Sequence, residues 1–150
     1  MLTIEIPGSD SLRLEKLVMD YNGTLAIDGK LLPGVGMRLR ELAETLELHV
    51  VTADTFGRVR EAVAELPCRL HVLEPGRQDQ AKRAYLMQLG ADRTAAIGNG
   101  RNDRQMVEGS ALGIALIAGE GAFPATLMAA DVICTDICNA LDLLIHPLRL

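Results

Sequence analysis

Four places in this 150-residue chain carry residues whose types and spacing could do chemistry. They are the segments DYNGTL (20–25), VVT (50–52) and GNGRND (98–103), together with Lys82. If the carboxylates of Asp20 and Asp103 meet at one point, they suit a hard divalent cation, which prefers oxygen ligands. The sequence therefore raises the hypothesis of a metal-dependent site that handles an anion.

The remaining polar residues of these segments are consistent with a phosphate-handling site. Thr52 can donate a hydrogen bond to a phosphoryl oxygen, and Lys82 adds positive charge for the same group. Gly23 lets the backbone approach an anion and present its N–H groups. Each residue also has an ordinary interpretation: a turn at Asp20, a helix entry at Thr52, a solvated helix lysine at Lys82, and an acid favoured by the helix dipole at Asp103.

Strands that alternate with helices must position these residues. An antiparallel hairpin at the N-terminus precedes the first buried strand. We predict further strands and helices, with Asp54 or Thr55 as the N-cap of the second helix. The predicted strands are 16–20, 48–51, 69–73, 94–97, 112–117 and 131–134; the predicted helices are 34–47, 56–65, 79–89, 102–108, 124–129 and 136–145.

Several of these strands are apolar throughout, as is typical of a parallel sheet covered by helices on both faces. We therefore predict an α/β fold with a central, mostly parallel sheet, and a single domain over residues 1–150. In such sheets ligands bind outside the carboxyl ends of the strands. Each of the polar segments falls at or near that edge, so they are expected to form one site.

Composition excludes several classes of function. The net charge of −5 argues against nucleic-acid binding, which needs a clustered basic surface. The first residues, MLTIEIPGSD, carry neither the basic region nor the apolar run of a signal peptide, and no stretch approaches the apolar length of a membrane helix. An odd count of three cysteines argues against a disulfide framework, and we interpret them as small buried hydrophobes. We therefore expect a cytoplasmic protein without membrane insertion.

Two further features have limited meaning. The GNG at residues 98–100 does not complete a dinucleotide fingerprint, because Asp103 stands where the last glycine would be. Four apolar residues near the C-terminus either close the core or pair subunits, which leaves a homo-oligomer open. They are Leu141, Leu144, Ile145 and Leu148.

The motifs resemble those of the haloacid dehalogenase (HAD) superfamily over about residues 15–145. DYNGTL resembles its first motif, D-x-D-G-T-L, and VVT resembles its second, a strand that ends in Ser or Thr. Lys82 fits the third motif, and GNGRND resembles the fourth, often G-D-G-x-N-D. Residues 98–133 look especially like the phosphorylation domain of P-type cation-transporting ATPases, and the whole chain resembles small P-type-ATPase-like phosphatases.

This resemblance implies a Rossmann-like three-layer sandwich and a phosphatase mechanism. Asp20 would attack phosphorus and form an aspartyl-phosphate, while Gly23, Thr52 and Lys82 would hold the phosphoryl group. Mg²⁺ would bind four residues of the chain. These metal ligands would be Asp20, the backbone carbonyl of Asn22, Asn99 and Asp103.

The chain departs from the family pattern in three ways. Asn22 stands where family phosphatases have the Asp that protonates the leaving group, so turnover should be slow. Asn99 replaces an acid, so magnesium should bind more weakly. Only residues 21–33 separate the first strand from the next helix, which allows a small flap but no cap domain. A weakly catalytic phosphate-binding regulatory module and a P-type-ATPase-like subunit that needs a partner remain as alternatives.

Overall fold

A computed structural model describes residues 1–54 and 57–150. Thr55, one of the two predicted helix caps, lies outside the described residues. The strands and helices follow the predicted alternation. The strands are β1 Leu2–Ile4, β2 Leu12–Leu14, β3 Lys16–Asp20, β4 Ala26–Ile27, β5 Lys30–Leu31, β6 Glu47–Thr52, β7 Cys68–Val72, β8 Thr94–Gly98, β9 Leu112–Leu116 and β10 Val132–Cys134; the helices are α1 Val35–Leu42, α2 Val59–Val63, α3 Gln78–Leu89, α4 Arg104–Gly109, α5 Pro124–Ala129 and α6 Ile137–Ile145.

Six strands form the central sheet in the order β10-β9-β8-β3-β6-β7. Every neighbouring pair in it is parallel, so the sheet is more regular than the mostly parallel one predicted. Strand β3 lies in the middle, and Asp20 at its carboxyl end is level with Val51 of β6. The predicted α/β fold class is confirmed.

The alternation of side chains along the strands divides the core into two layers. In β3, Leu17 and Met19 pack on one face with α1 and α6, whereas Val18 packs on the other face with Leu86 of α3 and Met106 of α4. Helices therefore cover both faces of the sheet, which is why its central strands are apolar throughout.

Two small hairpins complete the fold. The predicted N-terminal hairpin pairs β1 with β2 antiparallel, with Leu2 opposite Leu14. A second hairpin of β4 and β5 forms the small flap between β3 and α1. Across the described residues no separate cap domain covers the carboxyl edge of the sheet, and no helix is long and apolar enough to cross a membrane.

Several details differ from the expectations. Helix α1 ends at Leu42 rather than 47, because the chain leaves the helix in turns in which Thr45 and Leu46 both bond to the Leu42 carbonyl. Leu141 and Leu144 close the core, whereas Leu148 is 99 % exposed. The three cysteines are free and half-buried rather than fully buried.

Candidate active site

The turn after β3 presents Asp20 at the carboxyl edge of the sheet. The carbonyl oxygen of Tyr21 accepts hydrogen bonds from the amides of Thr24, Leu25 and Ala26, at 3.2, 2.9 and 3.0 Å. These bonds fold the segment back immediately after the strand. Tyr21 is fully buried, so the position of the preceding carboxylate is fixed by packing as well as by the turn.

Lys82 joins the two carboxylates. Its Nζ donates to Asp20 Oδ1 at 2.7 Å and to Asp103 Oδ1 at 2.6 Å. Because both Oδ1 atoms contact the same nitrogen, the carboxylates of Asp20 and Asp103 lie side by side around Lys82. Lys82 is 1 % exposed and lies in the second turn of α3, which excludes the solvated-lysine interpretation. An ammonium group has three donors, so one N–H of Lys82 is left for another acceptor.

Asp103 is held by the backbone of the fourth motif. Its Oδ2 accepts from the amide of Asn99 at 3.0 Å and from that of Gly100 at 2.9 Å. Gly98 allows this close fold, because a Cβ at this position would lie 2.5 Å from the Asp103 Cβ. Asp103 is thus fully buried but satisfied by hydrogen bonds on both oxygens.

The electrostatics of this cluster are those of two acids that share one cation. Burial and, after it, the charge of Asp103 raise the pKa of Asp20 to about 7, although the charge of Lys82 and its hydrogen bond oppose this shift. Burial alone would lower the pKa of Lys82, but the charges of Asp103 and Asp20 and their hydrogen bonds raise it above its ordinary value. One buried ammonium for two carboxylates leaves the site short of positive charge.

Thr52 ends β6 next to Asp20. Its side chain is 2 % exposed, and its Oγ1 accepts from the amide of Asp54 at 3.2 Å. The hydroxyl proton has no acceptor among the described residues. Asp54 Oδ1 also accepts from the amide of Val59 at 3.2 Å. The N-cap of α2 is nevertheless Arg58, which makes no side-chain cap hydrogen bond. The predicted N-cap at Asp54 is therefore wrong, although its carboxylate contacts the first amide of the helix.

Gly23 and Asn99 pack directly against each other. A Cβ at Gly23 would lie 2.7 Å from Asn99 Nδ2, and the φ of 79° at Gly23 also favours glycine. The side-chain Nδ2 of Asn99 donates to the Gly121 carbonyl at 3.0 Å, while its Oδ1 accepts from the Thr24 hydroxyl at 3.4 Å. These contacts fix the orientation of the Asn99 side chain beside the Asp20 turn.

The N–H group of Gly23 is occupied within its own turn. It donates to the Ala26 carbonyl at 2.7 Å, because the turn folds back on itself. Gly23 therefore makes room for Asn99, and the expected approach of the backbone around Gly23 to a phosphate stays a prediction.

The side-chain oxygen of Asn22, two residues after Asp20, is a buried acceptor. This Oδ1 has no hydrogen-bond partner in the described part of the chain. A buried acceptor without a partner is costly, so this oxygen is suited to a bound group. Residues 1–54 and 57–150 contain no cluster of three or more His, Cys, Asp or Glu. A metal ion here would therefore need amide or carbonyl oxygens besides the two carboxylates, and such an all-oxygen donor set fits Mg²⁺.

Sequence reasoning missed the contacts that support the fourth motif from behind. The Thr126 hydroxyl donates to the Gly100 carbonyl at 2.8 Å, and the Phe123 amide donates to the Asn99 carbonyl at 2.9 Å. Both residues lie at the start of α5. The only available signal was the position of a predicted helix at 124–129 after a loop rich in glycine.

Comparison with solved structures identifies the class of fold. The chain matches 3-deoxy-D-manno-octulosonate 8-phosphate phosphatase from Moraxella catarrhalis, crystallised with magnesium, phosphate and KDO, at a TM-score of 0.73 and 18% identity over 89% of this chain and 86% of that one. It matches the cobalt-bound deoxy-D-mannose-octulosonate 8-phosphate phosphatase (YrbI) from Haemophilus influenzae at a TM-score of 0.73 and 16% identity, over 89% of this chain and 88% of that one. A HAD superfamily (subfamily III A) hydrolase from Legionella pneumophila matches at a TM-score of 0.74 and 20% identity, over 91% of this chain and 84% of that one. The chain has the fold of the HAD superfamily, as its motifs predicted.

Sequence comparison finds close relatives of undefined function, and no family model matches the chain. Two uncharacterized proteins of Methanocaldococcus jannaschii are each 46% identical to it. MJ0073 matches over 55 residues, 37% of this chain and 59% of that protein. MJ0072 matches over 39 residues, 26% of this chain and 89% of that protein. The chain belongs to the same family as MJ0072, whose name states no activity.

Proposed function

We propose that this protein is a magnesium-dependent phosphohydrolase that acts through an aspartyl-phosphate intermediate on Asp20. The observation that carries the proposal is the cluster in which Lys82 contacts both Asp20 and Asp103 at the carboxyl edge of the sheet. The likeness to HAD phosphatases crystallised with magnesium or cobalt supports it. We also propose the remaining roles below from the positions of the side chains.

The proposed reaction has two displacement steps at phosphorus. A carboxylate oxygen of Asp20 forms a bond to phosphorus as the bond to the leaving-group oxygen breaks. Water then attacks the phosphorus of this intermediate, which releases inorganic phosphate and restores the carboxylate. The third N–H of Lys82 and the hydroxyl proton of Thr52 donate to the phosphoryl oxygens and hold them in place.

The residues that would hold Mg²⁺ are Asp20, Asp103, the amide oxygen of Asn99 and the backbone carbonyl of Asn22. When bound, the ion supplies the positive charge that one lysine cannot provide for two carboxylates and a phosphoryl group. Asn99 is a neutral ligand, so the affinity should be modest. A magnesium titration by calorimetry tests this point: sub-micromolar affinity would contradict it, and Asn99→Asp is expected to bind the ion more tightly.

Asn22 makes the proposed enzyme slow. An amide can neither protonate a leaving group nor remove a proton from water. General acid–base catalysis is typically worth about 10²–10⁴-fold, and this chain must work without it at that position. Substrates with good leaving groups, such as acyl phosphates and nitrophenyl phosphate, should therefore turn over faster than alkyl phosphate esters.

Hydrolysis of nitrophenyl phosphate with and without magnesium tests the proposal directly. Magnesium-dependent release of nitrophenolate is expected from the native protein, and Asp20→Asn should abolish it. Asp92→Asn is the matched control, because Asp92 is exposed and lies at the opposite edge of the sheet, before β8. Equal background rates in the native protein and Asp20→Asn would overturn the proposal.

The partnerless Oδ1 of Asn22 also favours a second candidate function, a regulatory module that binds phosphate and magnesium without turnover. Beryllium fluoride separates the two functions. A beryllium fluoride adduct on Asp20 indicates a competent nucleophile, whereas phosphate binding without such an adduct favours the regulatory module. A P-type-ATPase-like subunit that needs a partner would instead show activity only when its partner protein is added. Cytoplasmic location remains a prediction.

A further inference from the structure

An open cleft of about 600 Å³ lies beside the candidate active site. A volume of this size accommodates a small organic molecule. The cleft is formed by the loop that enters α3 and by the residues that follow Gly100. Its lining consists of Gly76, Arg77, Gln78, Asp79, Arg101 and Asn102.

The cleft adjoins the proposed phosphate site through two short connections. Asn102, in its wall, immediately precedes Asp103, and its amide donates to Gln78 Oε1 at 2.8 Å. Gln78 begins α3 one turn before Lys82. The wall of the cleft is therefore built by residues that lie close to Asp103 and Lys82 along the chain.

Arg101 is held in place beside the cleft. Its guanidinium lies over the Phe123 ring, with Cζ 4.7 Å from the ring centroid. The backbone amide of Phe123 in turn donates a hydrogen bond to the Asn99 carbonyl. Such stacking fixes the plane of the guanidinium while leaving its N–H donors unused. No carboxylate lies within ion-pair distance of Arg101 in residues 1–54 and 57–150.

The one acid in the cleft already has partners. Asp79 accepts from Arg77 at 3.3 Å through both Nε and Nη2, and its Oδ2 also accepts from Gln105 at 3.1 Å. Two arginines against one neutralised acid leave the cleft positively charged, although the whole chain carries a net charge of −5. The cleft is thus the place beside the site where a negative group would be favoured.

We propose that this cleft binds a second anionic group of the substrate, a carboxylate or a second phosphate, with Arg101 as its main ligand. This inference rests on the proposed phosphohydrolase function. The inference adds a substrate class to that function: phosphate esters that carry another negative charge a few bonds from the phosphoryl group. Guanidinium groups suit both anions because they can donate two parallel hydrogen bonds.

Two matched pairs of substrates test the proposal. 3-Phosphoglycerate and glycerol 3-phosphate differ by one carboxylate, and fructose 1,6-bisphosphate and fructose 6-phosphate differ by one phosphate. A lower KM for the doubly anionic member is expected in one pair or in both, and the pair that responds identifies the anion. Equal KM values within both pairs would overturn the proposal.

Arg101→Gln removes the charge and is expected to reduce the KM preference within the responding pair by about tenfold. Arg101→Lys should retain part of the preference, because it keeps the charge without the planar pair of donors. Arg40→Gln, on an exposed position of α1, is the matched control and should leave the preference unchanged. An unchanged preference in Arg101→Gln, or an equal fall in Arg40→Gln, contradicts the role of Arg101.

Calorimetric binding of the same pairs separates failure of this inference from failure of the proposed function. In one outcome nitrophenyl phosphate is not hydrolysed, but 3-phosphoglycerate still binds more tightly than glycerol 3-phosphate and Arg101→Gln removes the difference. The proposed anion site then stands, and the proposed phosphohydrolase function fails. If hydrolysis occurs but neither KM nor Kd differs within either pair, the enzyme is retained and the cleft proposal fails.

Discussion

Replacing Lys82 by Met tests whether the buried cluster is as tightly coupled as its contacts indicate. The substitution keeps the length and apolar stem of the side chain but removes the ammonium, which is 1 % exposed and contacts Asp20 and Asp103 at 2.7 and 2.6 Å. Removal of one partner from a buried ion pair typically costs about 3–5 kcal/mol, because the remaining charge is left uncompensated. We expect a loss of that size in the free energy of unfolding.

Urea denaturation measures this loss. With an m-value of about 2 kcal/mol/M, a loss of about 4 kcal/mol moves the midpoint down by about 2 M. Lys30→Met, an exposed lysine of β5, is the control and should change stability by no more than about 0.5 kcal/mol. A cost below about 1 kcal/mol for Lys82→Met would refute the reasoning, because only a solvated lysine is so easily removed.

A double-mutant cycle locates the cause of the loss. Asp103→Asn removes one of the two charges that Lys82 neutralises. When it is combined with Lys82→Met, the total loss should be smaller than the sum of the single losses by about 0.5–3 kcal/mol. Strict additivity would mean that the two residues do not interact in the folded protein.

Three further predictions follow from the structure. Asn22→Asp should raise magnesium-dependent hydrolysis of nitrophenyl phosphate at least tenfold, since it restores a group that can transfer protons. Gly98→Ala should destabilise the protein by about 1–3 kcal/mol and impair activity, because its Cβ would lie 2.5 Å from that of Asp103. Burial lowers the pKa of His49 from its ordinary 6.5, so the unfolded chain binds that proton more readily. The contribution of His49 to the free energy of unfolding should therefore be lost as the pH drops below about 6.5. The raised pKa of Asp20 acts in the opposite direction, so the comparison of the native protein with a His49 variant isolates this contribution.

Each of these predictions has its own control. Asn22→Asp must remain folded and bind magnesium, and an absence of gain under those conditions counts against the role of position 22. Gly109→Ala, whose Cβ would lie 3.4 Å from Leu86, should be tolerated. His49→Gln should make the free energy of unfolding fall less, or rise more, as the pH drops below about 6.5. His146→Gln, which replaces an exposed histidine, is the control variant. An unchanged slope in His49→Gln would contradict the assignment.

The sheet was predictable from sequence because its central strands are apolar runs that end in polar residues. Strand β3 matches its prediction at 16–20, and helix α5 matches at 124–129. The rule that ligands lie at the carboxyl edge of the sheet placed Asp20, Thr52 and Asp103 at one edge. Short-range patterns of this kind are written in consecutive residues, so a single sequence reveals them.

Other features depend on contacts between distant residues and were not predictable. A lysine in a predominantly polar helix gives no sign that it is buried, and the burial of Lys82 follows from two acids, 62 and 21 residues away. The occupied N–H of Gly23 depends on how its turn closes. The stacking of Arg101 on Phe123 likewise requires the loop before α5 to return to the fourth motif.

The central position of β3 has a consequence for the folding of this protein during its synthesis on the ribosome. Strand β3 ends at residue 20, whereas one of its two neighbours, β8, begins only at residue 94. At about 5–20 residues per second, the interval between them is roughly 4–15 s. During that time one side of the apolar strand β3 is unpaired, so nascent chains of this protein are candidates for chaperone capture. Ordering of the Asp20 cluster must wait until Asp103 has been synthesised.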